Sequence, residues 1–360
     1  MKSTTIADPL ARVFQNTVAP YKFLWLLSLL ELVVREGRTV MHVDELTARM
    51  VAKAWYPKMF FRLSYGRCEA ITRCIEALGS HHGWTHDTSE KRIVDTLLGD
   101  SRSSVHQVTF KLLRDEVPYR FLTPWIRESD NARMQRRSET FENNCFYALR
   151  KGCEGLFVHM HLQWADYLRE HYVLVRDFTY WHWSRFLQAR NPNVPNIVNK
   201  LERSSQRSSL EPQRTYWRRA IRRMERLPNV YRPAAYFDCD TPFALDHFLP
   251  WRFVAHDRLW NLMPIDASLN SAKSDRLPDV EALLPRFALT HRDALRISLH
   301  HGDDTACQHD YEDLGYALSD IAAMGDEAVI ETFRKTYVPL TLIARNMGFE
   351  TWDYTCTEPS

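Results

Sequence analysis

Between residues 238 and 278 the chain sets two short apolar runs, each closed by a proline, directly ahead of a segment at helical spacing, and no other stretch constrains the fold as much. Phe243, Ala244 and Leu245 lead through Asp246 and His247 to Phe248, Leu249 and Pro250, a pattern that suits a strand end. Residues 259–263, centred on Asn261 and stopped by Pro264, read as the partner strand. The mixed stretch 252–258 reads as a loop between them. After Pro264, either Asp266 or Ser268 can cap a helix carrying Asn270 and Lys273, which lie three apart and share one helical face. The expected unit is strand, loop, strand, helix.

Asn261 follows Asp246 by fifteen residues, Asn270 comes nine later, and Lys273 three after that. Headed by the Asp-His pair, this order resembles the HNH, or ββα-metal, endonucleases. Its spacing is similar to that of the HNH domain of RNA-guided CRISPR effector nucleases, which also runs into Lys-Ser-Asp and a proline. The resemblance covers about forty of the 360 residues, so it concerns a site and not the whole chain. It implies that Asp246 and Asn270 are metal ligands, that His247 is the general base, that Asn261 positions the loop bearing the His, and that Lys273 contacts a phosphate. By family analogy it also implies DNA as substrate and a place in bacterial defence against phage or foreign DNA, with other defence-system proteins or a second copy as partners.

The chemistry of these residue types agrees with those roles. A carboxylate and an amide oxygen are hard ligands suited to Mg²⁺ or Mn²⁺, and two protein ligands leave positions for water and a phosphate oxygen. A histidine with an ordinary pKa near about 6.5 is neutral at physiological pH and can take a proton from water. Taken singly, an Asp-His pair or a helical Asn is a turn or surface feature; the combination at fixed spacing carries the signal. His256 and Asp257 form a second such pair, read as structural because they fall in the loop, and Trp251, Phe253 and Trp260 are read as packing groups.

With a net charge of +2, affinity for nucleic acid has to come from a local patch. Such a patch lies between residues 200 and 226, where Arg203, Arg207, Arg214, Arg218, Arg219, Arg222, Arg223 and Arg226 face only Glu202, Glu211 and Glu225. A helix through residues 215–224 gathers several of these arginines along part of its surface. A solvated helix is the plain reading, but the run leads straight into the Asp-His stretch. Arg214, Arg218, Arg219, Arg222 and Arg223 are therefore taken, with Lys273, as the nucleic-acid contacts.

The rest of the chain reads as helical. Eleven glycines are few for 360 residues and argue against a glycine-rich α/β sheet. The cysteines at 68, 74, 145, 153, 239, 307 and 356 form no CxxC pair, which argues against a zinc knuckle and fits reduced thiols in a cytoplasm. Cys239 is read as a small buried residue. The apolar run 23–34 is too short to span a bilayer, so no membrane partner is expected. His81, His82 and His86 read as polar loop residues. Helices are expected over 44–55 (stopping before Pro57), 71–78, 91–98, 104–114, 141–150, 155–172, 178–189, 280–284 (ending before Pro285), 291–299, 311–324 and 328–337, with 117–125 extended.

The fold class expected is mainly α with a small ββα-metal module, an α+β chain. Its parts are a helical domain over 1–130, a second helical domain over 131–228 ending in the arginine-rich helix, the nuclease-like module over 229–290 and a helical region over 291–360. Two other functions fit the same residues: a catalytically idle DNA-binding module, and a nuclease subunit active only within a larger complex. RNA remains open as substrate.

Overall fold

The computed structural model describes residues 8–15, 17–66, 70–99, 103–203, 208–302 and 305–354. Cys68, Arg207, Cys356 and the tail from residue 355 lie outside the described residues. The chain forms two compact units, residues 1–192 with 197–203 and residues 193–196 with 204–360. The boundaries expected near 130, 228 and 290 all fall inside a unit. The architecture is mainly α with sheets of two or three strands. No helix among the described residues is long and apolar enough to cross a membrane.

In the first unit the apolar run 23–34 becomes the helix Tyr21–Leu30, almost wholly buried, which continues as a π-turn over Glu31–Arg35. Where helices were expected over 141–150 and 155–172, a hairpin forms over 147–160, and only Leu162–Glu170 of the second stretch is helical. Strands β1 (Val40–His42), β2 (Tyr147–Gly152) and β3 (Gly155–Met160) make an antiparallel sheet in the order β1-β3-β2. Tyr147, Ala148 and Leu149 are consecutively buried, so β2 shows none of the alternation that marks a half-exposed strand. Gly155 closes the turn with φ +135, and a Cβ there would lie 2.6 Å from His42 Nε2. Residues 117–125, expected to be extended, begin with the short helix Val117–Phe121.

Two prolines expected to end helices lie inside them, Pro57 in Val43–Met59 and Pro285 in Val280–His300, and Pro339 likewise lies inside Asp326–Asn346. A proline ring removes one backbone bond and crowds the preceding turn. Each of these helices buries a long apolar face, and that burial outweighs the local penalty.

The second unit is built on one apolar core. The helix Glu211–Met224 buries Trp217, Ala220 and Ile221 against the long helix Val280–His300, whose Phe287 meets Phe248, Phe333 and Tyr337. Two antiparallel strand pairs lie in this unit: β4 (Leu227–Pro228) with β5 (Tyr236–Phe237), and β6 (Ala244–His247) with β7 (Leu262–Ile265). The second pair sets Asp246 opposite Met263 and His247 opposite Leu262. β7 starts later than expected, because Leu259–Asn261 forms a 3₁₀ turn, and Trp251–Val254 is a helical turn within the expected loop. Trp217 ties helix to strand through a bond from its indole N–H to the Leu262 carbonyl (2.9 Å).

His291 sits at the centre of this core beside Trp217 and Phe287, with Nδ1 2.6 Å from the Tyr311 hydroxyl. Burial pushes its pKa down to about 3. The unfolded chain protonates this ring near about pH 6.5 while the native fold refuses the proton, so its contribution is complete above that pH and declines as pH falls toward 3. Denaturant titrations at pH 7 and pH 5 should show the wild type losing about 2 kcal/mol from this residue. His291→Gln should flatten that slope.

Candidate active site

Strand β6 delivers Asp246 and His247 from adjacent positions, and adjacent strand residues point to opposite faces. Asp246 is 2% exposed, yet both of its carboxylate oxygens have donors. The Tyr231 hydroxyl donates to Oδ2 at 2.6 Å, and the Lys273 ammonium donates to Oδ1 at 2.9 Å. Lys273 is 0% exposed and also donates to the His247 carbonyl at 2.7 Å. Burial, reinforced by the neighbouring Asp246 charge, pushes the Tyr231 hydroxyl well above its ordinary pKa and keeps it a donor. One buried ion pair thus pins the helix Ala267–Lys273 to the strand. The ammonium faces inward, away from the surface where a phosphate would arrive.

His247 has a different neighbour. Its Nε2 is 2.8 Å from Asp257 Oδ1. An ionised carboxylate only accepts, so Nε2 carries the proton and Nδ1 keeps the lone pair. Asp257 was set aside as a loop residue on sequence grounds, and the structure makes it the partner of His247. The only signal in the sequence was its place between two strands whose start and end bring the loop back over His247. Its backbone carbonyl is held by Gln213 Nε2 (3.0 Å), from the arginine-rich helix. His256, next to it, is pushed down to about 4 by burial first, with the His247 and Arg258 charges adding to the effect.

Asn261 is fully buried and pairs twice with Leu249. Its Oδ1 accepts the Leu249 N–H and its Nδ2 donates to the Leu249 carbonyl, each at 2.9 Å. The Asn261 carbonyl accepts the Phe248 N–H at 2.9 Å, and Tyr337 holds the neighbouring Trp260 carbonyl at 2.7 Å. The backbone leaving β6 just after His247 is therefore fixed by the side chain and the carbonyl of Asn261. Phe253 and Trp260 are buried in the core.

Asn270 lies one turn before Lys273 on the same face of the helix Ala267–Lys273. It is half-buried, and its amide makes no side-chain hydrogen bond among the described residues. Asp266 occupies the N-cap position without a capping bond, because its carboxylate is taken by Asn229 (3.0 Å) and Arg232 (3.5 Å). No group of three or more His, Cys, Asp or Glu that could hold a metal occurs among the described residues. Asn270 offers an amide oxygen without a partner among the described residues, whereas both Asp246 oxygens are engaged, so an oxygen-ligated divalent ion at these two residues would require the Lys273 contact to give way. Cys239, expected to be buried, is exposed.

The arginines divide. Arg218, Arg219 and Arg222 are exposed on the helix Glu211–Met224. Arg214 is half-buried, donating to the Phe243 carbonyl at 3.1 Å, and Arg223 is half-buried and engaged. Arg218 pairs with Glu211 at 2.7 Å on the exposed surface, a contact of little energetic weight. Arg203 belongs to the other unit, where it donates to the His86 carbonyl at 2.6 Å.

Residues 237–279 match the family model described as HNH endonuclease. No curated protein and no solved structure matches the chain. The match supports nuclease chemistry on nucleic acid, and HNH nucleases are generally dependent on a divalent metal.

The buried pair can be tested without any assay of cleavage. Lys273→Met leaves the Asp246 carboxylate buried without its counter-charge and should lower stability by about 3–5 kcal/mol. Adding Asp246→Asn to that variant should recover part of the loss, as read from denaturant midpoints.

Proposed function

We propose that the HNH endonuclease module of this chain hydrolyses DNA phosphodiester bonds, with His247 as general base and a Mg²⁺ or Mn²⁺ ion held by Asp246 and Asn270. The observation that carries the reading is the pairing of His247 with Asp257, which leaves Nδ1 as acceptor on the strand that also bears Asp246. His247 Nδ1 takes a proton from water, the water oxygen attacks phosphorus, and the P–O3′ bond breaks to give a 5′-phosphate and a 3′-hydroxyl that is protonated by solvent. The ion, when bound, supplies Lewis-acid stabilisation of charge on the phosphate and the departing oxygen. Asp257 orients the imidazole, and Asn261 holds the backbone beside it. Lys273 acts from beneath by fixing Asp246, in place of the phosphate contact expected from the resemblance.

Arg218, Arg219 and Arg222 are the residues available to bind DNA phosphates, Arg214 and Arg223 being partly buried and engaged. A single site of this kind cuts one strand, so a double-strand break needs a second copy, a second binding event or a partner. By family analogy we place the activity in defence against foreign DNA. A second reading, a nuclease subunit that cuts only inside a larger complex, is favoured by one observation. Asp246 is 2% exposed with both oxygens engaged, so ion binding requires the Lys273 contact to loosen.

Supercoiled plasmid, linear DNA and RNA incubated with Mg²⁺, Mn²⁺ or EDTA test the proposal on one gel: metal-dependent nicking of DNA supports it, and inert protein that becomes active with partners selects the second reading. His247→Ala should fold, bind DNA and lose cleavage; unchanged cutting would remove His247 as base. Asp257→Asn should lower kcat by roughly 10–100-fold and alter the pH profile while KM stays nearly constant. Arg218→Ala with Arg222→Ala should weaken DNA binding and reduce its salt dependence, with kcat at saturation little changed.

A further inference from the structure

The first unit contains a cavity of about 220 Å³ lined by Arg12, Gln15, Lys22, Thr123, Pro124 and Arg127. Three separate segments meet there: the end of the helix Asp8–Arg12, the first turn of the helix Tyr21–Leu30, and the turn that follows the helix Val117–Phe121. Among the described residues that line it, three side chains are cationic and none is a carboxylate.

Several basic side chains elsewhere in this unit are matched by acids. Arg38 is held by Glu45, Arg49 and Lys53 by Glu31, and Arg137 by Glu142. Around the cavity that matching stops. Arg12 and Arg127 make no ion pair among the described residues. Lys22 spends one N–H on the Val13 carbonyl (3.1 Å), and its ammonium is partly desolvated without a compensating charge. Glu128, the acid next in sequence to Arg127, is turned to the Ser129 and Asp130 N–H groups and to Arg137.

Like charges gathered around a concave space repel one another, and an anion in that space relieves the repulsion. Two guanidinium forks, an ammonium and an amide form a donor set suited to a tetrahedral oxyanion, the Thr123 hydroxyl being spent on the Arg120 carbonyl (2.9 Å). A volume of about 220 Å³ is below that of drug-sized sites, and so accommodates a phosphoryl group with little else enclosed. We propose that this cavity binds the phosphoryl group of a small soluble ligand, inorganic phosphate or the terminal phosphate of a nucleotide. The assignment is independent of the cleavage chemistry proposed for the other unit.

Calorimetric titration of the full chain with inorganic phosphate, and separately with a nucleoside triphosphate, tests the assignment. The wild type should bind, and Arg12→Ala with Arg127→Ala should weaken binding roughly tenfold or more, because charge-assisted bonds are lost. Both are surface arginines without ion-pair partners, so the double variant should keep the wild-type melting temperature. Arg219→Ala, in the other unit, should bind as the wild type does. No phosphate or nucleotide binding, or undiminished binding in the folded double variant, would overturn the proposal. An oligonucleotide lacking a terminal phosphate provides the remaining arm. If it displaces phosphate from the wild type but does not bind the double variant, the cavity belongs to a nucleic-acid backbone and the small-ligand assignment fails.

Discussion

The site rests on a single ion pair from which water is excluded. Lys273 and Asp246 come from a helix and a strand, and neither charge would tolerate burial without the other. Their contact therefore docks the helix Ala267–Lys273 on β6, and the second ammonium bond, to the His247 carbonyl, fixes the register of that docking at the next residue. Tyr231 completes the arrangement by capping the other carboxylate oxygen. A charged pair is a poor source of net stability compared with apolar packing, but it is selective about geometry, because a small shift leaves a charge unpaired in a low-dielectric interior.

That anchoring gives the two faces of β6 different chemistry. Asp246 lies beneath, almost inaccessible, surrounded by donors; His247 meets Asp257 with one ring nitrogen and keeps the other as acceptor. Strand alternation alone accounts for the division. Asn261 then prevents the backbone from relaxing after His247, since moving Leu249 would leave its N–H and carbonyl both unpaired in the core. Asp246 and His247 are held by other polar groups, and the strand that bears them is packed by Phe248, Phe287 and Tyr337.

The features legible from the sequence share one property: their partners are near in the chain or their identity allows few alternatives. The strand pair and the helix after it follow from apolar runs within about forty residues, although β7 runs through Pro264, the residue expected to end it. The features that were misread depend on distant residues. The hairpin of β2 and β3 was taken for helix because Tyr147 to Leu149 are buried together, which erases the period-two signal. Pro57 and Pro285 read as stops because the local penalty is visible in sequence and the compensating burial is not. Asp257 looked like a loop residue because its partner His247 is ten positions away, across a chain reversal.

By itself the sequence determined a mostly helical chain, the presence of a strand–strand–helix unit, and the set of residue types at intervals that an HNH endonuclease model matches over 237–279. Those are consequences of periodicity, of proline and of spacing, all of which are local. The tertiary structure alone decided that Lys273 faces inward on Asp246, that Asp257 holds His247, and that, among the described residues, the Asn270 amide has no partner and three cations of the other unit surround a cavity without an acid. Each of these depends on where a side chain's charge or hydrogen bond finds its partner once water is excluded, and that is settled by packing between segments far apart in the chain.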